Sequence, residues 1–197
     1  SKGKLAEGVF KGETINTPSM LAVEDAIFAL EWGKSLGGAK GLIARAQANA
    51  DALNAIAADP GLQQLLARRA ARGLHTILTP HPLEAARLLG SSTAAVQADR
   101  LHAARTLSQQ TGSTVVLKGS GTVIHSPQQL PCINPSGNAL LATAGTGDVL
   151  AGMVGAAWAQ GMEAHAAAQW AVWRHGWLAD QWPAGQALTA GALARSR

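Results

Sequence analysis

The chain has one cysteine, Cys132, among 197 residues, which excludes an internal disulfide framework and any multi-cysteine zinc site and fits a reducing cytosol. Charge is sparse as well. Only 14% of residues are Asp, Glu, Lys or Arg, so the formal balance of +4 is not gathered into a basic stripe. Nor are basic residues interleaved with aromatics as on a nucleic-acid face, and phosphate-bearing small molecules fit the charge better. No run approaches the roughly 20 apolar residues of a membrane span, and no charged-then-apolar leader opens the chain. The expectation is a soluble, cytoplasmic protein without nucleic-acid or membrane partners. Missing too are a Walker lysine motif, G-x-G-x-x-G, a G-x-S-x-G elbow and H-E-x-x-H. His75, His102, His125, His165 and His175 lie apart from partners at metal spacing, so they read as surface or packed residues and no protein-held metal is expected.

What is present is 47% hydrophobic residues, enough for one core or for a domain with an appended segment. Ser1 to Thr17 is polar and Gly-containing; helices are expected over Pro18 to Ser35 and Lys40 to about Ala58. From Gly61 the pattern alternates. Leu62 to Arg72, Leu83 to Leu89 and Ala94 to Thr111 read as helices, and Leu74 to Leu78, Thr114 to Leu117 and Thr122 to His125 as strands. The strands Leu74 to Leu78 and Thr114 to Leu117 are expected to be buried. Short strands separated by helices indicate an α/β layered fold with some parallel pairing. A helix should begin at or next to Gly147, with interruptions at Gly155 and Gly161 left open. The next, Ala164 to Trp182, carries Trp170, Trp173 and Trp177 at helical spacing, a stripe expected to pack in the core.

Three segments can carry chemistry. In Ala144-Gly145-Thr146-Gly147-Asp148, glycines allow a tight turn that presents backbone N–H groups at a helix start, where unpaired donors and the helix dipole favour a phosphoryl anion. Asp148 there can accept a proton from a substrate hydroxyl, or simply stabilise the helix start. Lys118-Gly119-Ser120-Gly121-Thr122 offers a cation, a hydroxyl and close ligand approach, or forms a Gly-rich hairpin turn. In Thr79-Pro80-His81-Pro82-Leu83-Glu84 the prolines restrict the backbone around His81, which also reads as a rigid strand-to-helix turn.

In this order, with Asn134-Pro135-Ser136-Gly137-Asn138 ahead of the Gly-Thr-Gly-Asp, the segments resemble the ADP- or ATP-dependent NAD(P)H-hydrate dehydratases of the ribokinase-like superfamily. The resemblance covers roughly Asp51 to Gly191. It implies a three-layer α/β/α domain, here truncated to its C-terminal part over residues 51–197 and preceded by a helical segment. It further implies that a nucleotide phosphorylates the hydroxyl of hydrated NADH or NADPH, and that loss of phosphate restores the dinucleotide. Lys118, Gly119, Ser120, Gly121, Thr122 and Gly147 would bind the nucleotide, ADP or ATP. Gly145 and Thr146 would help form the anion hole, and His81 and Asp148 would meet the hydrated dinucleotide. Asp148 would be the catalytic base, with Mg²⁺ screening the phosphates.

The opening, Ser1 to about Ala50, is instead similar to an internal segment of phosphoserine aminotransferases. The similarity runs through Lys2-Gly3-Lys4-Leu5, Phe10 to Met20 and Gly37 to Ala52. In that family, residues matching Asn16 and Thr17 reach the pyridoxal-phosphate group of the neighbouring subunit. The cofactor lysine lies upstream of the matching segment, so transamination is not expected. Asn49 to Asn54 aligns to both families and is the expected seam of a chimera. Two further readings follow: a noncatalytic nucleotide-binding fragment, and a helix-rich chimera that assembles as a homo-oligomer.

Overall fold

The computed structural model describes residues 56–196. The aminotransferase-like opening and the expected helix over Pro18 to Ser35 lie outside them, as does most of the helix expected over Lys40 to Ala58. Only residues 56–58 of that helix are described, and they are helical.

Local chemistry sets the element ends. Helix α1 (Pro60–Ala71) starts ahead of Leu62 because the Asp59 carboxylate accepts the Gly61 N–H at 2.7 Å and Pro60 occupies the first turn, where no N–H is needed. Strand β1 spans only Ile77–Leu78, which corrects the expected Leu74 to Leu78: Leu74 is 43% exposed, so burial begins nearer the strand's end. Helix α2 (Pro82–Leu88) follows. The single helix expected over Ala94 to Thr111 is two, α3 (Thr93–Ala98) and α4 (Arg100–Thr111). Asp99 breaks them apart, with φ −142° and ψ 83°, and its side chain caps the His102 N–H at 2.9 Å. An aspartate at a helix start satisfies an orphan amide that a continuous helix would not leave open.

Strands β2 (Thr114–Leu117), β3 (Val123–His125) and β4 (Cys132–Ile133) complete a four-stranded sheet in the order β1-β2-β3-β4. The β1–β2 pairing is parallel, and β2–β3 and β3–β4 are antiparallel. Alternation across β2 sorts the core into two layers. Val115 and Leu117, with Val123, face Ala85, Leu88, Val96, Ala104 and Leu107 of α2, α3 and α4. Val116 and its register partner Ile124 face Leu150, Val154, Ala168 and Val172, from helices α5 (Thr146–Ala159) and α6 (Ala164–Asp180). Helices on both faces explain why every β2 residue is buried. Each such Val or Leu contributes about 1.5–3 kcal/mol. A short helix, α7 (Ala190–Leu193), closes a smaller apolar cluster with Leu178, Leu188 and Leu193.

One open point is decided and one expectation changes in part. Gly155 lies inside α5 without interrupting it, whereas Gly161, with φ +92°, stands just beyond its end. Two of the three tryptophans leave the core, Trp170 and Trp173 being 45% and 46% exposed, while Trp177 is half-buried against the Leu178, Leu188 and Leu193 cluster. The buried face of α6 is made of small residues, Ala164, Ala167, Ala168, Ala171, Val172 and Gly176. Small side chains let α6 approach α5 and the sheet closely, and Trp170 and Trp173 stay on the outer side, where Trp173 stacks on Trp177.

Candidate nucleotide site

A cavity of about 740 Å³ opens where the β2–β3 loop, the segment before α5 and the start of α5 converge. That volume is within the usual range for a small-molecule site. Backbone bonds bring its walls together. The Lys118 N–H donates to the Pro80 carbonyl at 2.9 Å, extending the parallel pairing so that His81 and Lys118 both reach the cavity. Across it, the Asn134 N–H donates to the Thr122 carbonyl at 2.9 Å.

Among the described residues the start of α5 differs from the other helix starts. Its N-cap is Gly145, with φ +85° and no side-chain cap, whereas Asp59, His81, Ser92, Asp99, Glu163 and Thr189 each cap a helix with their side chains. The Asp148 and Val149 amides reach back to the Gly145 carbonyl at 3.1 and 3.2 Å, and the Gly147 amide has no intrahelical acceptor, as first-turn amides do not. Lys118 is directly above: a Cβ on Gly147 would stand 3.2 Å from the Lys118 Nζ. An ammonium, a helix N-terminus and a side-chain-free glycine thus converge on one point of the cavity wall, the arrangement that attracts a phosphoryl oxygen.

The α5 start is held from behind. Thr146 Oγ1 donates to the Leu141 and Thr143 carbonyls at 2.7 and 2.8 Å. The Thr146 carbonyl accepts from His175 Nε2 at 2.9 Å. His175 is buried on α6; desolvation pushes its pKa below the ordinary value against the opposing effect of that bond, so it stays neutral near pH 7. The 134–138 segment is tied to the same helix. Ser136 Oγ donates to the Trp173 carbonyl at 2.9 Å, Asn138 Nδ2 to the Ala179 carbonyl at 2.9 Å, and the Gly137 N–H to Asp180 Oδ2 at 2.8 Å.

Of the residues expected from sequence, His81, Lys118, Gly119, Ser120, Gly121, Thr122, Thr146 and Gly147 line the cavity, while Gly145 and Asp148 do not. Asp148 is exposed in the first turn of α5. His81 also closes a capping box on α2: its Nδ1 accepts the Glu84 N–H at 3.2 Å, and Glu84 Oε2 accepts the His81 N–H at 2.7 Å. The Thr122 hydroxyl donates to the Gly119 carbonyl at 2.9 Å and closes its own loop. His175 and Gly176, which line the cavity, and Asp180, which holds Gly137, were not legible from sequence, because α6 brings them to the site only by packing on α5.

A family model of the carbohydrate-kinase group, described as NAD(P)H-hydrate dehydratase, matches residues 44–196. The chain belongs to the NAD(P)H-hydrate dehydratase family. It is 48% identical over 147 residues to the ADP-dependent (S)-NAD(P)H-hydrate dehydratase of Neisseria meningitidis, a match covering 74% of this chain and 48% of that protein. Among solved structures it resembles the ADP/ATP-dependent NAD(P)H-hydrate dehydratase of Bacillus subtilis, co-crystallised with ATP and Mg²⁺. There the TM-score is 0.56 and identity 35%, over 61% of this chain and 44% of that one. A ribokinase-like superfamily protein of Enterococcus faecalis shares the fold at TM-score 0.55 and 23% identity, over 70% of this chain and 56% of that one. The α/β fold is therefore ribokinase-like, and this family member spans about half the length, or less, of the dehydratases it matches.

Proposed function

We propose that the chain carries the nucleotide half of a dehydratase site that restores hydrated NADH or NADPH by nucleotide-dependent phosphorylation of the ring hydroxyl and loss of phosphate. The observation that carries this reading is the Lys118 ammonium over Gly147 at the uncapped start of α5. In this reading Lys118 to Thr122, with Gly145, Thr146 and Gly147, bind ADP or ATP, and His81 lies against the hydrated dinucleotide. Asp148 takes the proton of the ring hydroxyl as the phosphoryl group is transferred. Mg²⁺ would supply charge neutralisation on the phosphates. Among the described residues no group of three His, Cys, Asp or Glu is placed to cage a cation; in this reading the ion would arrive on the nucleotide's phosphates.

The family match over residues 44–196 supports 51–197 as the dehydratase part; that 1–50 is an aminotransferase-like segment rests on the sequence resemblance alone. A second reading, nucleotide binding without turnover, is favoured by the position of Asp148 outside the cavity wall. One experiment separates them: incubate the chain with NADH hydrate, Mg²⁺ and either nucleotide, and follow the reduced-nicotinamide absorbance. Recovery of absorbance supports the dehydratase. Nucleotide binding by calorimetry with no recovery leaves the binding reading, and a folded chain that binds neither ADP nor ATP defeats both.

A further inference from the structure

The loop that carries Lys118 rests on a side chain outside the motif. Arg100, the first residue of α4, sends Nη2 to the Leu117 carbonyl at 3.0 Å and to the Gly121 carbonyl at 3.5 Å, one at each shoulder of the loop. Its Nη1 is held by Gln97 Oε1 at 3.0 Å, across the α3–α4 break. Gly119, with φ +147°, lies flat on this guanidinium, and a Cβ there would collide with Arg100 Nη1. The Arg100 Nε is buried without a partner. Among the described residues no carboxylate forms an ion pair with Arg100 or Lys118. Removal of solvent from the guanidinium disfavours its charge and lowers its pKa, yet an arginine stays protonated. A positive charge that meets only carbonyl and amide oxygens therefore sits behind a loop whose front carries a second cation.

We propose that Arg100 is a positioning residue for the nucleotide's phosphates: its guanidinium fixes the Lys118–Thr122 loop from behind and adds an uncompensated positive charge to the anion site. This rests on the nucleotide reading above. Planar geometry matters, because only a fork reaches Gln97 and the loop shoulders at once, which a lysine ammonium cannot do.

The test titrates ATP, ADP, inorganic tripolyphosphate and adenosine calorimetrically into the parent chain, Arg100→Lys and Arg100→Gln, with thermal unfolding of each. Loss of a charged donor to two carbonyls should weaken ATP and tripolyphosphate by about 10- to 100-fold in Arg100→Gln. Arg100→Lys should recover only part of that, and adenosine binding should not move. Gly119→Ala, which pushes against the guanidinium, should weaken the same two ligands and combine non-additively with Arg100→Gln. Equal ATP affinity in parent and Arg100→Gln overturns the proposal and leaves the nucleotide reading intact. A parallel loss for adenosine and tripolyphosphate, with a lowered melting temperature, overturns it in favour of a purely structural arginine. A folded parent that binds neither ATP nor ADP overturns both.

Discussion

Gly176→Ala and Gly155→Ala make the same chemical change in two neighbouring helices and should move stability in opposite directions. At Gly176 a Cβ would stand 2.7 Å from the carbonyl carbon and oxygen of Ser136 and against its hydroxyl. Favourable carbon contacts lie near 3.5–4.0 Å, so α6 and the 134–138 segment must separate by roughly 1 Å. Backbone forms the obstacle on the loop side, and no rotamer change relieves it. Separation strains the bonds from Ser136 Oγ to Trp173 and from Asn138 Nδ2 to Ala179, both 2.9 Å. Overpacking costs about 1–3 kcal/mol and each weakened bond about 0.5–1.5 kcal/mol, offset by about 1 kcal/mol of helix propensity. The net expectation is destabilisation by about 1–5 kcal/mol. At Gly155, exposed inside α5, nothing lies within 4 Å of a Cβ, so only the propensity gain remains, about 0.5–1 kcal/mol of stabilisation. Urea unfolding of the parent and both variants measures this. A Gly176→Ala chain as stable as the parent would refute the close approach of α6 to the site segment.

Asp148→Asn should retain calorimetric binding of ADP and ATP while any turnover of hydrate falls by about 10²- to 10⁴-fold; parental turnover removes Asp148 from the base role. Gly147→Val should weaken nucleotide binding, since its side chain enters the space beside Lys118 Nζ; unchanged affinity would place the phosphates elsewhere. Trp170→Ala, at a ring 45% exposed, should cost about 1 kcal/mol, less than the about 3–5 kcal/mol of a core aromatic, as read by urea midpoint. Burial holds His125, His165 and His175 below the ordinary histidine value of 6.5. The unfolded chain then binds more protons than the native one, so stability should be level above about pH 6.5 and fall as pH drops below it. Urea midpoints that rise on acidification from pH 7 to pH 5 would contradict the neutral, buried state of these rings.

The sequence alone was enough for whatever depends on neighbours in the chain. Gly145 to Asp148 could be read as a helix start open to an anion, because glycine freedom and first-turn amides are local properties. The β2 run Thr114 to Leu117 was legible for the same reason, through its β-branched, uninterrupted apolar character. Residues that act through space were not. The Trp170, Trp173 and Trp177 stripe has helical period, but period does not say which face turns inward. The face with alanine and glycine won, because only small side chains let α6 approach α5 and Ser136. His175 looked like any packed histidine until α6 brought its Nε2 to the Thr146 carbonyl. Arg100 gave no signal either, since its partners lie at Leu117 and Gly121, on a strand end and a loop that only the folded sheet sets over the start of α4.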